Sequence, residues 1–164
     1  MKETEQKYIF EEWLNRHKGI IFKIVKAYSF DASGQDDLFQ EIVIQLWNSV
    51  LSFKKESSVS TWIYRVSLNT AIKWANKERK HQQSQSIEDA KQVLHENEIH
   101  VDERLAWLYE EIYKLDEIDR SVTLLLLDGF SYKEMASILG ITESNVGVKI
   151  NRIKKQLIDK SKNL

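Results

Sequence analysis

The densest run of side chains able to make specific polar contacts lies between Ser144 and Lys155. Ser144, Asn145, Lys149, Asn151, Arg152, Lys154 and Lys155 fall there, with Val148 among them. Carboxamides and guanidinium groups form paired hydrogen bonds with adenine or guanine edges, and lysines suit phosphates. This is the chemistry of recognition, not of bond breaking. The four histidines, His17, His81, His95 and His100, form no H-E-x-x-H array. No glycine-rich phosphate loop occurs, and nothing places Asp, Ser and His in a triad. There are no cysteines, which excludes disulfides and thiolate metal sites. No catalytic residue, metal or cofactor is expected, and an enzyme is the least favoured reading.

Two further groupings carry polar chemistry. Asp36-Asp37-Leu38-Phe39-Gln40-Glu41 is followed by Trp47. The carboxylates suit the positive end of a helix dipole, or else a protein docking surface with an aromatic anchor. Farther on, Arg65, Asn69, Lys73 and Lys80 recur close to helical spacing, with Trp62, Tyr64 and Trp74 interleaved. Aromatic platforms beside a basic track suit single-stranded nucleic acid, because any base can stack on a ring. The alternative is that the aromatics are core and the charges merely solvated.

Helices must position all three groupings. The chain has no proline and only five glycines, so long helices go unbroken. Ser131 and Glu134 give the S-x-x-E capping box that starts a helix. Gly140 suits a sharp turn with positive φ, and Thr142 caps a second helix through Val146, Ile150, Ile153 and Leu157. That is a helix-turn-helix, whose second helix enters a DNA major groove. Glu143, Ser144, Asn145, Val148, Lys149, Asn151 and Arg152 lie on or near its exposed side. A solvated amphipathic helix is the plainer alternative.

Upstream, a first helix is predicted over residues 5–28, with Phe10, Trp13, Leu14, His17, Ile21, Ile24, Val25 and Tyr28 inward. Ser29–Gln35 reads as a loop, and Asp36 opens a second helix with the stripe Leu38, Ile42, Leu46 and Val50. Lys54–Ser60 reads as a loop, with Ser58 or Ser60 capping a third helix to about Arg79. Residues 83–102 are rich in Gln, Ser, Asn and acid, and read as a flexible linker. Periodicity returns with Leu105, Leu108, Ile112 and Leu115, then Ile118, Val122, Leu125 and Leu126. The fold class is all-α: two small helical bundles, residues 1–82 and 103–164, joined by that linker.

The net charge is −1 over 164 residues. Stand-alone DNA binders are usually basic, since phosphate neutralisation supplies most of their affinity. Here the basic residues form two patches, Lys73–Lys80 and Lys149–Lys162. Such a chain is expected to bind DNA weakly until a partner holds it. No apolar run approaches membrane-spanning length, so no membrane insertion is expected. The N-terminal MKETEQKY lacks the apolar core of a secretory signal, and a cytoplasmic location is the default.

In this order the three groupings resemble the bacterial RNA polymerase sigma factors of the extracytoplasmic-function class, within the sigma-70 family. D-L-x-Q-E-x-x-x-x-L-W and F-x-x-x-S-x-x-x-T-W-I-Y-R-x-x-x-N-x-A, between Asp36 and Lys80, resemble sigma region 2. L-L-x-L-D-G-F-S-Y-K-E-M-A-x-I-L-G-I resembles region 4, and the linker fits the family's lack of a region 3 domain. The resemblance implies a factor that binds core polymerase, recognises promoter −10 and −35 elements and directs transcription initiation. It implies that Asp37, Gln40, Glu41, Leu46 and Trp47 dock on the β′ clamp helices. Ser49, Phe53, Val66 and Asn69 would line a pocket for a flipped-out −10 base, beside Lys54, Ser58 and Trp62, with Arg65 and Lys73 on the backbone. Ser144, Asn145, Val148, Lys149, Asn151, Arg152 and Lys155 would contact the −35 duplex, and the β flap would bind this domain's apolar groove. Promoter DNA and an anti-sigma factor are the other implied partners. Many relatives carry a G-T-V-K-S-R-like run where this chain has Ser144-Asn145-Val146-Gly147-Val148-Lys149, which makes Asn151 and Arg152 the stronger base-reading candidates. The rival readings are a dimeric helix-turn-helix regulator acting without polymerase docking, and a module that sequesters another factor.

Overall fold

The computed structural model of the chain describes residues 1–82 and 102–163. Its regular secondary structure is all helical, with no strand among the described residues. The chain divides into two compact units, Met1–Val101 and Asp102–Leu164. The expected linker falls outside the described residues except for Asp102. That residue caps the next helix, its carboxylate accepting the Arg104 amide at 3.0 Å.

In the first unit α1 (Glu3–Tyr28), α2 (Ala32–Ser49) and α3 (Val59–Gln82) pack pairwise into a three-helix bundle. A single 3-10 turn, Val50–Ser52, follows α2. Trp13, Ile21 and Ile24 of α1 meet Leu38, Ile42 and Leu46 of α2 and Ile63, Leu68 and Ala71 of α3 in the core. Burying such side chains is worth about 1.5–3 kcal/mol each, and this holds together a bundle with no covalent cross-link.

α2 starts earlier than the sequence suggests. The loop expected over Ser29–Gln35 is only a corner, because Asp31 is the N-cap and its carboxylate accepts the Gly34 amide. The Gln35 amide also donates to the Ser29 carbonyl at 2.9 Å. Gly34 leaves room for this corner: a Cβ would sit 2.7 Å from Asp31 Oδ1 and against Ser29 Oγ, so those side chains would have to move. Asp36 therefore lies a turn inside the helix, not at its start. Ser58, the first of the two expected caps, starts α3, its hydroxyl accepting the Thr61 amide at 3.2 Å.

The second unit holds α4 (Glu103–Lys114), α5 (Glu117–Leu127), α6 (Tyr132–Leu139) and α7 (Glu143–Ser161). Ile112, Val122, Leu125, Met135, Ile138, Val146, Ile150 and Ile153 form its core. Leu105, expected inward, is exposed instead, at the first turn of α4. Asp116 caps α5, Ser131 caps α6 and Thr142 caps α7, each accepting an amide three residues on. α5 ends with Gly129 at φ 83° while Phe130 N–H reaches back to the Leu125 carbonyl. α6 ends with Gly140 at φ 70°, the left-handed geometry that glycine adopts freely. Both Gly140 N–H and Ile141 N–H donate to the Ala136 carbonyl, which closes the turn into α7.

Candidate nucleic-acid interface

Side chains at i, i+4, i+7 and i+11 share one face of a helix. On α7 that face is Ser144, Val148, Asn151 and Lys155, all exposed. Val146, Ile150 and Ile153 are buried on the opposite side. The geometry therefore presents one hydroxyl, one branched apolar group, one carboxamide and one amine along a single edge, with Asn145 beside it.

Lys149 and Arg152, expected among the reading residues, are engaged elsewhere. Both reach Asp119 of α5, whose side chain is only 6% exposed. Lys149 Nζ donates to Oδ1 at 3.2 Å and Arg152 Nη2 to Oδ2 at 2.5 Å. Lys149 is itself 18% exposed. Asp119 was missed in the sequence, although it carried a signal. It falls at an inward register with Val122 and Leu126, and a carboxylate there demands cationic partners. A second buried acid, Glu111 of α4, draws Lys114 Nζ at 2.9 Å and Lys160 Nζ at 2.8 Å. Those hydrogen bonds hold the Glu111 carboxyl below its ordinary pKa and raise that of Lys114.

Gly147 lies where α6 crosses α7. A Cβ there would meet the Tyr132 ring at 3.6 Å, ordinary van der Waals contact. A longer side chain at 147 would lie against that ring.

In the first unit, Ser49, Phe53 and Trp62 come together. The Trp62 indole N–H donates to Ser49 Oγ at 3.2 Å, and that hydroxyl donates to the Leu46 carbonyl at 2.9 Å. Phe53 stands edge-on to Trp13 at 5.4 Å and tilted against Trp62 at 5.6 Å. Ser49 spends its hydroxyl within the bundle, the exposed Ser58 hydroxyl bonds to Thr61 at the start of α3, and Phe53 and Trp62 are half-buried rings. Val66, Asn69 and Lys73 follow Trp62 along the same side of α3, with Asn69 and Lys73 exposed. Arg65 is half-buried there, and Lys54 is exposed in the preceding loop. Tyr64 departs from the expectation: it is buried in the core and offers no platform. Lys55 turns the loop between α2 and α3 with φ 60°, an uncommon conformation for a residue with a Cβ.

On α2, Asp37, Gln40 and Glu41 are exposed on one face. Ile44 continues that face and is 52% exposed, a residue the sequence reading passed over although its spacing fits. Leu46 faces the opposite way and is fully buried, so it belongs to the core and not to a contact surface. Trp47 is half-buried at the border, edge-on to Phe10 at 5.3 Å. Its carbonyl accepts from the Gln6 carboxamide at 3.0 Å. Among the described residues, no group of three or more acidic or histidine side chains could hold a metal ion. No helix among them is long and apolar enough to cross a membrane.

Comparison with known proteins agrees with this geometry. Residues 13–81 match Sigma-70 region 2, and residues 105–157 match Sigma-70, region 4. The chain is 28% identical to the ECF RNA polymerase sigma-E factor of Haemophilus influenzae, over 76% of this chain and 72% of that one. It is also 28% identical to the ECF RNA polymerase sigma factor SigX of Bacillus subtilis, over 96% and 87%. Among solved structures it superposes on the sigma factor RpoE from Bartonella quintana, seen in complex with the anti-sigma factor NepR. The TM-score is 0.71 at 21% identity, covering 93% of this chain and 96% of that one. Two sigma regions in order, on two helical units of the matching fold, make this chain a member of the sigma-70 family, in its extracytoplasmic-function class.

Proposed function

We propose a division of labour between the two units of this sigma factor. As a member of its class, the chain associates with core RNA polymerase and directs transcription initiation at promoters. Residues 1–82 dock on polymerase and capture the opened −10 strand, 83–102 link, and 103–164 read the −35 duplex. Asp37, Gln40, Glu41 and Ile44 meet the β′ clamp helices, with Trp47 at the rim and Leu46 supporting from the core. Phe53, Trp62, Val66 and Asn69 receive a flipped base, whose unstacking costs a few kcal/mol that stacking offsets. Ser49 and Ser58 hold that pocket in shape, while Lys54, Arg65 and Lys73 follow the backbone. Leu105 and Leu127, both exposed, give the β flap an apolar contact.

The chain catalyses no reaction of its own, and it works in the cytoplasm alongside polymerase. An anti-sigma factor covers these faces until a signal releases them, by analogy with the Bartonella relative crystallised with NepR.

One observation carries the reading. A helix-turn-helix with a polar outward edge shares its chain with a second unit that sets half-buried aromatic rings beside a basic helix face. Duplex reading and strand capture need those two surfaces separately. The test is transcription in vitro with core polymerase and a genomic library of promoters. Defined transcripts that depend on the added chain are expected. Binding to palindromic duplexes without polymerase, and no transcript with it, would establish the regulator reading instead.

A further inference from the structure

Two cations of α7, Lys149 and Arg152, are not available along its outer edge. Lys149 and Arg152 converge on Asp119, a carboxylate 6% exposed, and the Arg152 contact is a charge-assisted bond of 2.5 Å. A buried carboxylate without cationic partners is costly, so the fold holds these two side chains where they are. That leaves Ser144, Val148, Asn151 and Lys155 on the edge opposite the buried stripe. Val148 is 63% exposed and so open to an apolar partner.

The chemistry of that edge is selective. A carboxamide pairs with adenine N6 and N7, and an apolar side chain contacts the thymine methyl. Guanine is read by a guanidinium or an amine on O6 and N7; this edge carries no guanidinium, and its one amine, Lys155, lies a turn beyond Asn151. Asn151 and Val148 stand three residues apart, about 4.5 Å along the helix axis. That distance suits neighbouring base pairs, which are spaced about 3.4 Å.

We propose that α7 reads an adenine–thymine step, with Asn151 on the adenine and Val148 on the methyl of a neighbouring thymine, while Asp119 withholds Lys149 and Arg152 from base recognition. This rests on the assignment of the second unit to duplex reading. Arg152, 49% exposed, serves instead as a phosphate contact and helix anchor. Asp119 is a positioning residue that acts through it.

The test uses holoenzyme made from the full chain and core polymerase, with promoter duplexes randomised at the upstream element. The wild type should enrich A·T pairs at two adjacent positions. Asn151→Ala should reduce the preference at one of them by roughly 5- to 100-fold and leave other positions alone. Replacing the neighbouring thymine by uracil, which lacks the methyl, should weaken the wild type but not Val148→Ser. Arg152→Ala should weaken every duplex alike.

Asp119→Asn should create a preference for guanine at one position, and adding Arg152→Ala should remove it. Lower stability with unchanged base preference would reduce Asp119 to a purely structural role and overturn the withholding. An Arg152→Ala variant that erases a guanine preference, with Asn151→Ala inert, would overturn the base assignment while initiation still proceeds. Absence of holoenzyme, or of RNA from every duplex, would instead bring down the functional reading and this inference with it.

Discussion

Asp119 and Arg152 stand 33 positions apart in sequence and share one charge-assisted hydrogen bond across α5 and α7. α7 is thus latched to α5 by a buried acid.

The latch is asymmetric. Removing its two cations together, as Lys149→Met with Arg152→Met, strands a buried carboxylate and should cost about 3–5 kcal/mol. Asp119→Ala leaves two side chains that can swing to water and should cost less, about 1–3 kcal/mol. Calorimetry on the full chain should show the larger drop in melting temperature for the cation pair. The reverse order would mean that the acid is solvated.

Glu111 gives the second unit an acid-sensitive joint. Lys160 and Lys114 hydrogen-bond its carboxylate and lower its pKa in the folded state. That stabilisation is complete above the ordinary glutamate pKa and is lost as pH falls through the lowered value. Glu111→Gln should therefore be less stable than wild type at pH 7, and the gap should close toward pH 3. Melting curves over that range decide it, and a gap that widens in acid contradicts the joint.

Ile44 and Leu46 separate docking from folding. Ile44→Glu changes an exposed position and should leave the melting temperature nearly unchanged while abolishing co-purification with core polymerase. Leu46→Ala empties a buried site and should cost about 2–5 kcal/mol. If Ile44→Glu still co-purifies with core at wild-type yield, the docking face lies elsewhere.

Trp62 and Asn69 separate shape from capture. Trp62→Phe keeps a ring against Phe53 but loses the bond to Ser49, at about 0.5–1.5 kcal/mol of stability. Asn69→Ala removes an exposed amide and should spare stability while reducing permanganate reactivity of the melted promoter. Full reactivity with Asn69→Ala would remove that residue from the pocket.

Free chain should bind promoter duplex weakly at physiological salt, since its net charge is −1 and its basic residues are local. A gel shift with and without core polymerase measures the difference, and tight specific binding by the chain alone would contradict it.

The helix-turn-helix was legible because its punctuation is local. Ser131, Gly140 and Thr142 each act within a few residues, and all three do what their types suggest. The start of α2 is not legible in the sequence, because Asp31, Ser33 and Gly34 read equally well as loop and as the first turn after a cap. What spacing alone cannot assign is where a long cation goes. Arg152 looked free because its partner lies on another helix, and only the packing of α5 on α7 brings Asp119 beneath it. Leu46 and Ile44 differ in burial for the same reason: both are apolar and two residues apart, and the bundle decides which one faces water.

The contact between Tyr132 and Gly147 ties two segments into one heritable cassette. Exchanging α7 alone for a helix with a long side chain at position 147 would bring that side chain against the Tyr132 ring, which would have to shift to make room. Re-targeting this factor by grafting should therefore move α6 and α7 together, with the Gly140 corner between them.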